Sequence, residues 1–348
     1  MEFKTIVISN PEWDNYINSS INYDFHHTSC LHKIEVTDKE EALLFVAKAE
    51  NDFIAFPLLI KPVTNTNYFD ATSVYGYGGP VASRAFSDIP EELNAFFKTQ
   101  FLNHCVKNNI IAVFSRLHPL INSGLFFNQF GVCINLNKTV AIDLSLSVRE
   151  QRKEYRKSNK SEINQLKKKK GYTAKIVEST DKESIKRFVT IYHETMRRVN
   201  ARESYFFNFN YFNDLLANSC FNCHLIAAYK GNTMAAGAIF PETKTIMQYH
   251  LAGTNEAYIK DTPMKLILDK ARLLSNDKKL RYFHLGGGVG GSDEDSLFRF
   301  KAGFSKNFFQ FSVWNLVVNE DVYNRLVNEK GVKKEDHPNF FPLYRANN

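Results

Sequence analysis

The segment His284–Ser305, HLGGGVGGSDEDSLFRFKAGFS, holds six of the sixteen glycines of this 348-residue chain. Gly286, Gly288 and Gly291 spell G-x-G-x-x-G directly after a strand-like RYFHL, the lettering of a dinucleotide-binding turn. A dinucleotide site also needs a following βαβ unit and an acidic residue about 20 positions on. Here the loop runs at once into Asp293, Glu294 and Asp295, which would repel a pyrophosphate. The better reading is a turn where Gly286, Gly287 and Gly288 let the backbone approach closely around a cleft. The acids then sit at the electropositive start of a short helix. That helix carries Lys301 about one turn after Leu297, among Phe298, Phe300 and Phe304. Such a lysine either faces a cleft or snorkels from a packed helix.

The elements around this segment alternate between strands and helices. EALLFVAKAENDFIAFPLLIKPV reads as two strands about an Asn-Asp turn. DIPEELNAFFKTQFLNHCVKNN reads as a helix capped by Asp88 with Pro90 in its first turn, and IIAVFSRLHPL as a buried strand. The second half repeats the pattern. A basic helix leads through Gly171 into the strand YTAKIVES, and a helix over 181–198 carries Ile185, Phe188, Tyr192 and Thr195 on one stripe. Two strands joined at Gly231-Asn232 precede a third, TIMQYHLAG, and a helix starts with Thr262 as cap and Pro263 at its first position. The strand FFQFSVWNLVV closes the set. The pattern predicts two mixed α/β domains of largely antiparallel sheet flanked by helices. One spans 1–147 and is completed by 318–348; the other spans 148–317. The tail NFFPLYRANN is apolar enough to pack on the first.

Composition narrows the function. Residues 149–170 hold ten Lys/Arg against three Glu, a surplus equal to the whole chain's +7. One basic element suits one anionic partner docking at one place, and does not suit a DNA-coating protein; a solvated helix face is the plainer reading. No apolar run nears the roughly 20 residues that span a bilayer, and MEFKTIVISNPEWDNYI is a poor signal peptide. A cytoplasmic placement, or the inner face of the membrane, is expected. Cys220, Cys223 and His224 spell C-x-x-C-H at the start of a buried strand, where core packing is a better reading than haem or zinc. No metal site is expected.

The order of these pieces resembles the Fem family of aminoacyl transferases, built from two acyltransferase domains of the GNAT type. The residues carrying the resemblance are YRKSNKSEINQLKKKKGY, FVTIYHETMRRVNARESYFF, QYHLAGT and FHLGGGVGGSDEDSLFRFKAGF, with YFDATSVYGYGGP in the first half. The resemblance implies acyl transfer from an activated ester or thioester to an amine on a nucleotide- or lipid-linked envelope precursor, sugar or peptide. The first domain would help hold the acceptor, and the second would carry the catalytic cleft. Direct aminolysis needs no tightly bound cofactor, metal or nucleophilic cysteine. The co-substrate is acyl-CoA or aminoacyl-tRNA. The stretch EAYIKDTPMKLIL lacks the Q/R-x-x-G-x-G/A turn of acetyl-CoA users, and this and the basic helix favour a tRNA partner. The compact, armless build and the polysaccharide-type loop favour a small thioester. Peripheral membrane association fits the same basic helix. Leu117-His118-Pro119 stands where relatives commonly have Asp-Pro, which implies a different acceptor.

On this resemblance Lys301 steadies the oxyanion or a donor phosphate, with Phe300 in its wall. Tyr249 and His250 end the strand TIMQYHLAG, where such a cleft opens, and alternation lets only one of them reach substrate. Arg152 and Asn159 share the apolar stripe of Val148, Tyr155, Ile163 and Leu166, so Arg152 lines the cleft or snorkels at its rim, with Arg156 at the margin. Arg198 and Arg202 match basic positions where relatives meet acceptor phosphates, or else form surface ion pairs. Tyr205 positions the acceptor or packs. Tyr75, Tyr77, Gly78 and Gly79 form an acceptor wall or only fill space. The alternative from another class is a non-catalytic, degenerate GNAT tandem that grips RNA or anionic lipid through its basic helix.

Overall fold

A computed structural model describes residues 1–121, 123–124, 126–289, 294–338 and 340–346. The chain forms two compact units, 1–136 with 311–348, and 137–310. The first begins β1 (Glu2–Val7), α1 (Glu12–Ser19), α2 (Ser29–Glu35), β2 (Glu41–Ala49), β3 (Asp52–Pro62), β4 (Phe69–Thr72), β5 (Val81–Ala82), α3 (Glu91–Lys107) and β6 (Ile110–Leu117). Then follow β7 (Val132–Asp143), α4 (Val148–Glu154), α5 (Lys157–Lys168), β8 (Tyr172–Val177), α6 (Lys182–Arg198), α7 (Phe209–Ala217), β9 (Asn222–Lys230) and β10 (Thr233–Glu242). The chain ends with β11 (Ile246–Gln248), β12 (Ala252–Thr254), α8 (Met264–Asp277), β13 (Tyr282–Gly286), α9 (Ser296–Lys301), β14 (Asn307–Val317) and α10 (Glu320–Lys330).

The two units share one topology. The first runs β1-β2-β3-β4-β6-β14 with β5 against β3; the second runs β8-β9-β10-β11-β13-β7 with β12 against β10. Neighbouring strands are antiparallel except β4 with β6 and β11 with β13. Each parallel pair is joined through a helix, α3 or α8, as a parallel crossover requires. In each unit the first strand of that pair also breaks early, leaving a short loop before β5 or β12.

Period-two alternation distributes the second unit's core to both faces of its sheet. Ile226, Ala228, Ala238 and Phe240 pack under α5 and α8 with Ile163, Leu166, Ile267 and Ala271. Leu225, Ala227 and Ile239 pack under α6 and α7 with Ile185, Phe188, Tyr192 and Phe212. In the first unit Phe45, Phe56, Phe97, Phe101, Phe126 and Trp314 fill the core beside α3. The tail is tied down in that unit, where Tyr344 Oη donates 3.0 Å to Asp70 and Arg345 donates to Asp70 and the Pro62 carbonyl.

Several elements differ locally from the sequence reading. The basic stretch is two helices, because the chain turns extended at Tyr155 and Arg156, where the Arg156 amide donates 2.8 Å to the Gly303 carbonyl. Val148 leaves the apolar stripe and is exposed; Tyr155, Ile163 and Leu166 are buried. Asp88 does not cap α3, whose N-cap is Pro90. Thr262 lies in the left-handed region (φ 55°) and donates to Glu162, so α8 starts behind Pro263 without a side-chain cap.

The first unit also buries polar groups that its apolar pattern does not announce. Asp24 accepts from His26 Nδ1 and His118 Nε2, both at 3.1 Å, and His118 Nδ1 accepts from the Leu120 amide. Burial pushes the Asp24 carboxyl up, but these hydrogen bonds outweigh it and hold it well below the usual range. His27 and His32 are buried with Nε2 lacking a partner among the described residues. Burial lowers their pKa values to about 3 and about 4. Both folded values lie below that of an unfolded histidine, so the unfolded chain binds more protons below pH 6.5. Stability is therefore expected to fall by about 2 kcal/mol for each histidine between pH 7 and pH 5. Urea midpoints at the two pH values measure this, and His32→Phe, which keeps a ring against Trp13, removes one share.

Candidate active site

In the second unit the β13–α9 segment and the gap between β11 and β12 meet at Lys301. β13 ends at Gly286, whose φ is 76°, and the Gly287 carbonyl accepts from Lys301 Nζ at 2.7 Å. Asp295 caps α9, its side chain accepting from the Phe298 amide at 2.7 Å. Gly288 is needed there, since a Cβ would lie 2.2 Å from the Asp295 carboxylate. Phe298 and Phe304 anchor the segment in the core, and half-buried Phe300 packs edge-on against Phe304 at 5.5 Å. Gly303 lets Asn159 Nδ2 reach its carbonyl at 2.9 Å, where a Cβ would stand 2.5 Å from that nitrogen. Arg156 Nη2 donates to the Arg299 carbonyl at 3.3 Å. The letters F-x-F-K-A-G-F are thus explained by packing, by close approach and by one cation aimed inward.

Lys301 is 8% exposed, and its ammonium lies 5.6 Å from the centroid of the Tyr249 ring. Burial lowers its pKa to about 8, against a smaller upward pull from Asp295. Burial pushes the Tyr249 phenol up, so it is a neutral phenol. Tyr249 stacks on Phe240 at 5.8 Å. The single strand expected over TIMQYHLAG is two, and Tyr249 and His250 lie between them. The Tyr249 amide donates to His284 on β13 at 2.8 Å, and the His250 amide to Ile239 on β10 at 3.1 Å. Met247 faces Glu242 and Ala252 faces Ala238, so this strand has one residue more than β10 across the gap. Such a bulge re-aims side chains and ends strict alternation.

The structure thus gathers Lys301, Tyr249, Gly286, Gly287 and Gly288, with Phe300 on α9 and Arg156 reaching the α9 backbone from the break before α5. Within the second unit, Arg152, Arg198 and Tyr205 have other partners, and Arg202 is exposed. Arg152 donates 3.0 Å to Asp269, and Lys167 and Arg272 also donate to that carboxylate at 3.0 and 3.1 Å. Arg152 is therefore a network residue under α8. Arg198, exposed at the end of α6, donates to the Thr254 carbonyl and Thr195. Arg202 is exposed at the start of the turn 203–205, and the Tyr205 carbonyl accepts from Tyr192 at 2.8 Å. Tyr75, Tyr77, Gly78 and Gly79 belong to the first unit, in the loop after β4 that corresponds to the β11–β12 gap. There Tyr75 is 54% exposed with Arg116 over its ring, Tyr77 meets His118 edge-on at 6.0 Å, and the Gly78 carbonyl accepts from the His118 amide. Gly79 takes a φ of 101° against Leu117. Gly291 and Asp293 lie outside the described residues. Among the described residues no group of three or more His, Cys, Asp or Glu is placed to hold a metal, and no helix is long and apolar enough to cross a membrane.

The sequence reading overlooked Gln248 and His284, which brace Tyr249 from within the sheet, and the Asp269–Arg272 pair. A lone Gln in an apolar strand and an i,i+3 acid–base pair on a helix carry no signal of burial by themselves.

Residues 153–301 match the acetyltransferase (GNAT) domain family, and the match ends on Lys301. The fold is similar to that of FemX (TM-score 0.73, 13% identity, 93% of this chain and 99% of that one). It is also similar to the C-terminal domain of a putative lysylphosphatidylglycerol synthetase from Agrobacterium fabrum (TM-score 0.56, 13% identity, 89% and 91%). A tandem GNAT protein from the clavulanic acid biosynthesis pathway is similar too (TM-score 0.51, 7% identity, 91% and 99%). At these identities the likeness is one of fold. No curated protein matches the chain in sequence.

Proposed function

Because this chain has the FemX-like tandem-GNAT fold and carries a GNAT acyltransferase domain, we propose that it moves an acyl or aminoacyl group from an activated ester or thioester onto an amine of a cell-envelope precursor. The observation that carries this reading is the Lys301 ammonium, buried and held by the Gly287 carbonyl beside the Tyr249 ring. An ammonium has three N–H donors, and Gly287 takes one, which leaves donors for an oxygen that gains charge. In the reaction the amine lone pair attacks the donor carbonyl carbon, and a C–N bond forms. The tetrahedral intermediate places negative charge on oxygen, where Lys301 steadies it. Collapse breaks the C–O or C–S bond, and the amine's surplus proton ends on the departing alcohol or thiol. The Tyr249 ring face, 5.6 Å from Nζ, favours the charged form of Lys301 and directs it. The donor is consumed as a co-substrate, either acyl-CoA or aminoacyl-tRNA.

The envelope acceptor is supported by a lysylphosphatidylglycerol synthetase domain having this fold. Exposed Arg149, Lys153, Lys157, Lys168 and Lys169 on and beside α4 and α5 suit an anionic partner, whether a nucleotide- or lipid-linked precursor or a tRNA. Incubation of the protein with acyl-CoA or charged tRNA and amino-sugar or peptide precursors, followed by mass spectrometry, tests the reading. It expects one precursor to gain the acyl or aminoacyl mass. Absence of transfer in every pairing, together with tight, salt-sensitive RNA binding that Lys301→Ala leaves intact, would make the chain a binding module instead.

A further inference from the structure

We propose that Gln248 and His284 are positioning residues for acyl transfer, holding the peptide of Tyr249 so that its ring stays under Lys301; this rests on the reading of Lys301 and Tyr249 given above. Both side chains are buried, at 3% and 0% exposure, where an apolar pair would avoid the cost of desolvating an amide and an imidazole. They face each other at the last parallel rung between β11 and β13. Gln248 Oε1 accepts from His284 Nδ1 at 2.5 Å, which places that imidazole's proton on Nδ1 if it is neutral. Gln248 Nε2 donates to the Tyr249 carbonyl at 3.0 Å.

The second bond has a specific purpose. Beyond Gln248 the ladder to β13 has ended, so the Tyr249 carbonyl is held by a side chain at the point where the two strands part. A part-buried carbonyl left without this donor would turn to find another. The Tyr249 amide donates to the His284 carbonyl at 2.8 Å, so the same two residues hold Tyr249 at both its backbone groups. That fixes the bulge, and the bulge sets the ring against Phe240 and beneath the Lys301 ammonium.

Gln248→Glu separates this role from plain core packing. Glutamate keeps an acceptor for His284 but turns the donor to the Tyr249 carbonyl into a repelling oxygen. Gln248→Met, uncharged and of like length, gives the same readout without placing a charge in the core. The readout is the NMR shift of the Lys301 ε-methylene protons, which the Tyr249 ring current is expected to move upfield in the free protein. We expect both variants to lose this upfield shift while far-UV circular dichroism stays native. In the transfer assay kcat is expected to fall by about 10–100-fold with KM little changed. An unchanged ε-methylene shift in a folded Gln248 variant overturns the proposal, whatever Lys301 does in turnover. A lost shift supports it even where Lys301→Ala retains activity, an outcome that would count only against the catalytic reading.

Discussion

Replacing Lys301 with alanine is expected to lower kcat by about 100- to 1,000-fold while leaving the protein folded, the loss typical when one donor to a developing oxyanion is removed. The ground for this is the cost of the residue. Lys301 is nearly buried, its hydrogen bond goes to a neutral carbonyl, and Asp295 acts on it only at a distance. A structural role would be served better by an apolar side chain of similar length, because an ammonium in such a setting opposes folding. Lys301→Met should therefore be at least as stable as the wild type in thermal unfolding, and as inactive as Lys301→Ala. Substrate KM should change little if the interaction arises in the transition state. A folded variant that turns over normally removes Lys301 from the chemistry.

The second large effect concerns stability. Asp269 is 1% exposed and receives Arg152 from α4, Lys167 from α5 and Arg272 from its own helix. Arg272, equally buried, also donates to Tyr155 at 2.9 Å and to Gln151 at 3.0 Å. Hydrogen bonds from Lys167 and the nearby cations hold the Asp269 carboxyl below its usual range, against the upward push of burial. Removing the acid leaves three cations facing one another with Arg272 unable to reach water. Asp269→Ala is expected to cost about 3–5 kcal/mol and to lower Tm by about 10 °C. Asp269→Asn keeps one acceptor oxygen and should lose less. Equal melting of Asp269→Ala and the wild type would mean that the network does not hold α4 and α5 to α8.

This network also shows where sequence reasoning reached and where it stopped. The helices α3, α6 and α8 and the β9–β10 hairpin were legible because apolar spacing and a Gly turn specify them locally. Lys301 stood out through the family resemblance of the letters around it, although spacing alone does not separate it from its neighbour Arg299, which is exposed. The division of the basic stretch was not, because no Pro or Gly marks it; the break exists only to let Arg156 and Asn159 reach Gly303, far along the chain. Likewise the gap at Tyr249 depends on β13 leaving β11, and nothing in TIMQYHLAG announces it. Arg152 read as a cleft-lining or rim residue because it falls on the apolar stripe, but the partner waiting there is Asp269. Tertiary hydrogen bonding decided each of these cases against the local pattern.

The most direct test is the dependence of kcat/KM on pH between 6 and 10, which follows ionisations of the free protein, with an acceptor whose amine is already neutral at pH 6. Lys301 acts as a cation, and its pKa stands at about 8 through burial, so the account predicts a rate that declines as pH rises through about 8. With such an acceptor, a rate that keeps climbing through that range would mean that the neutral form of Lys301 is the active one, and would contradict the claim that this buried charge stabilises the transition state.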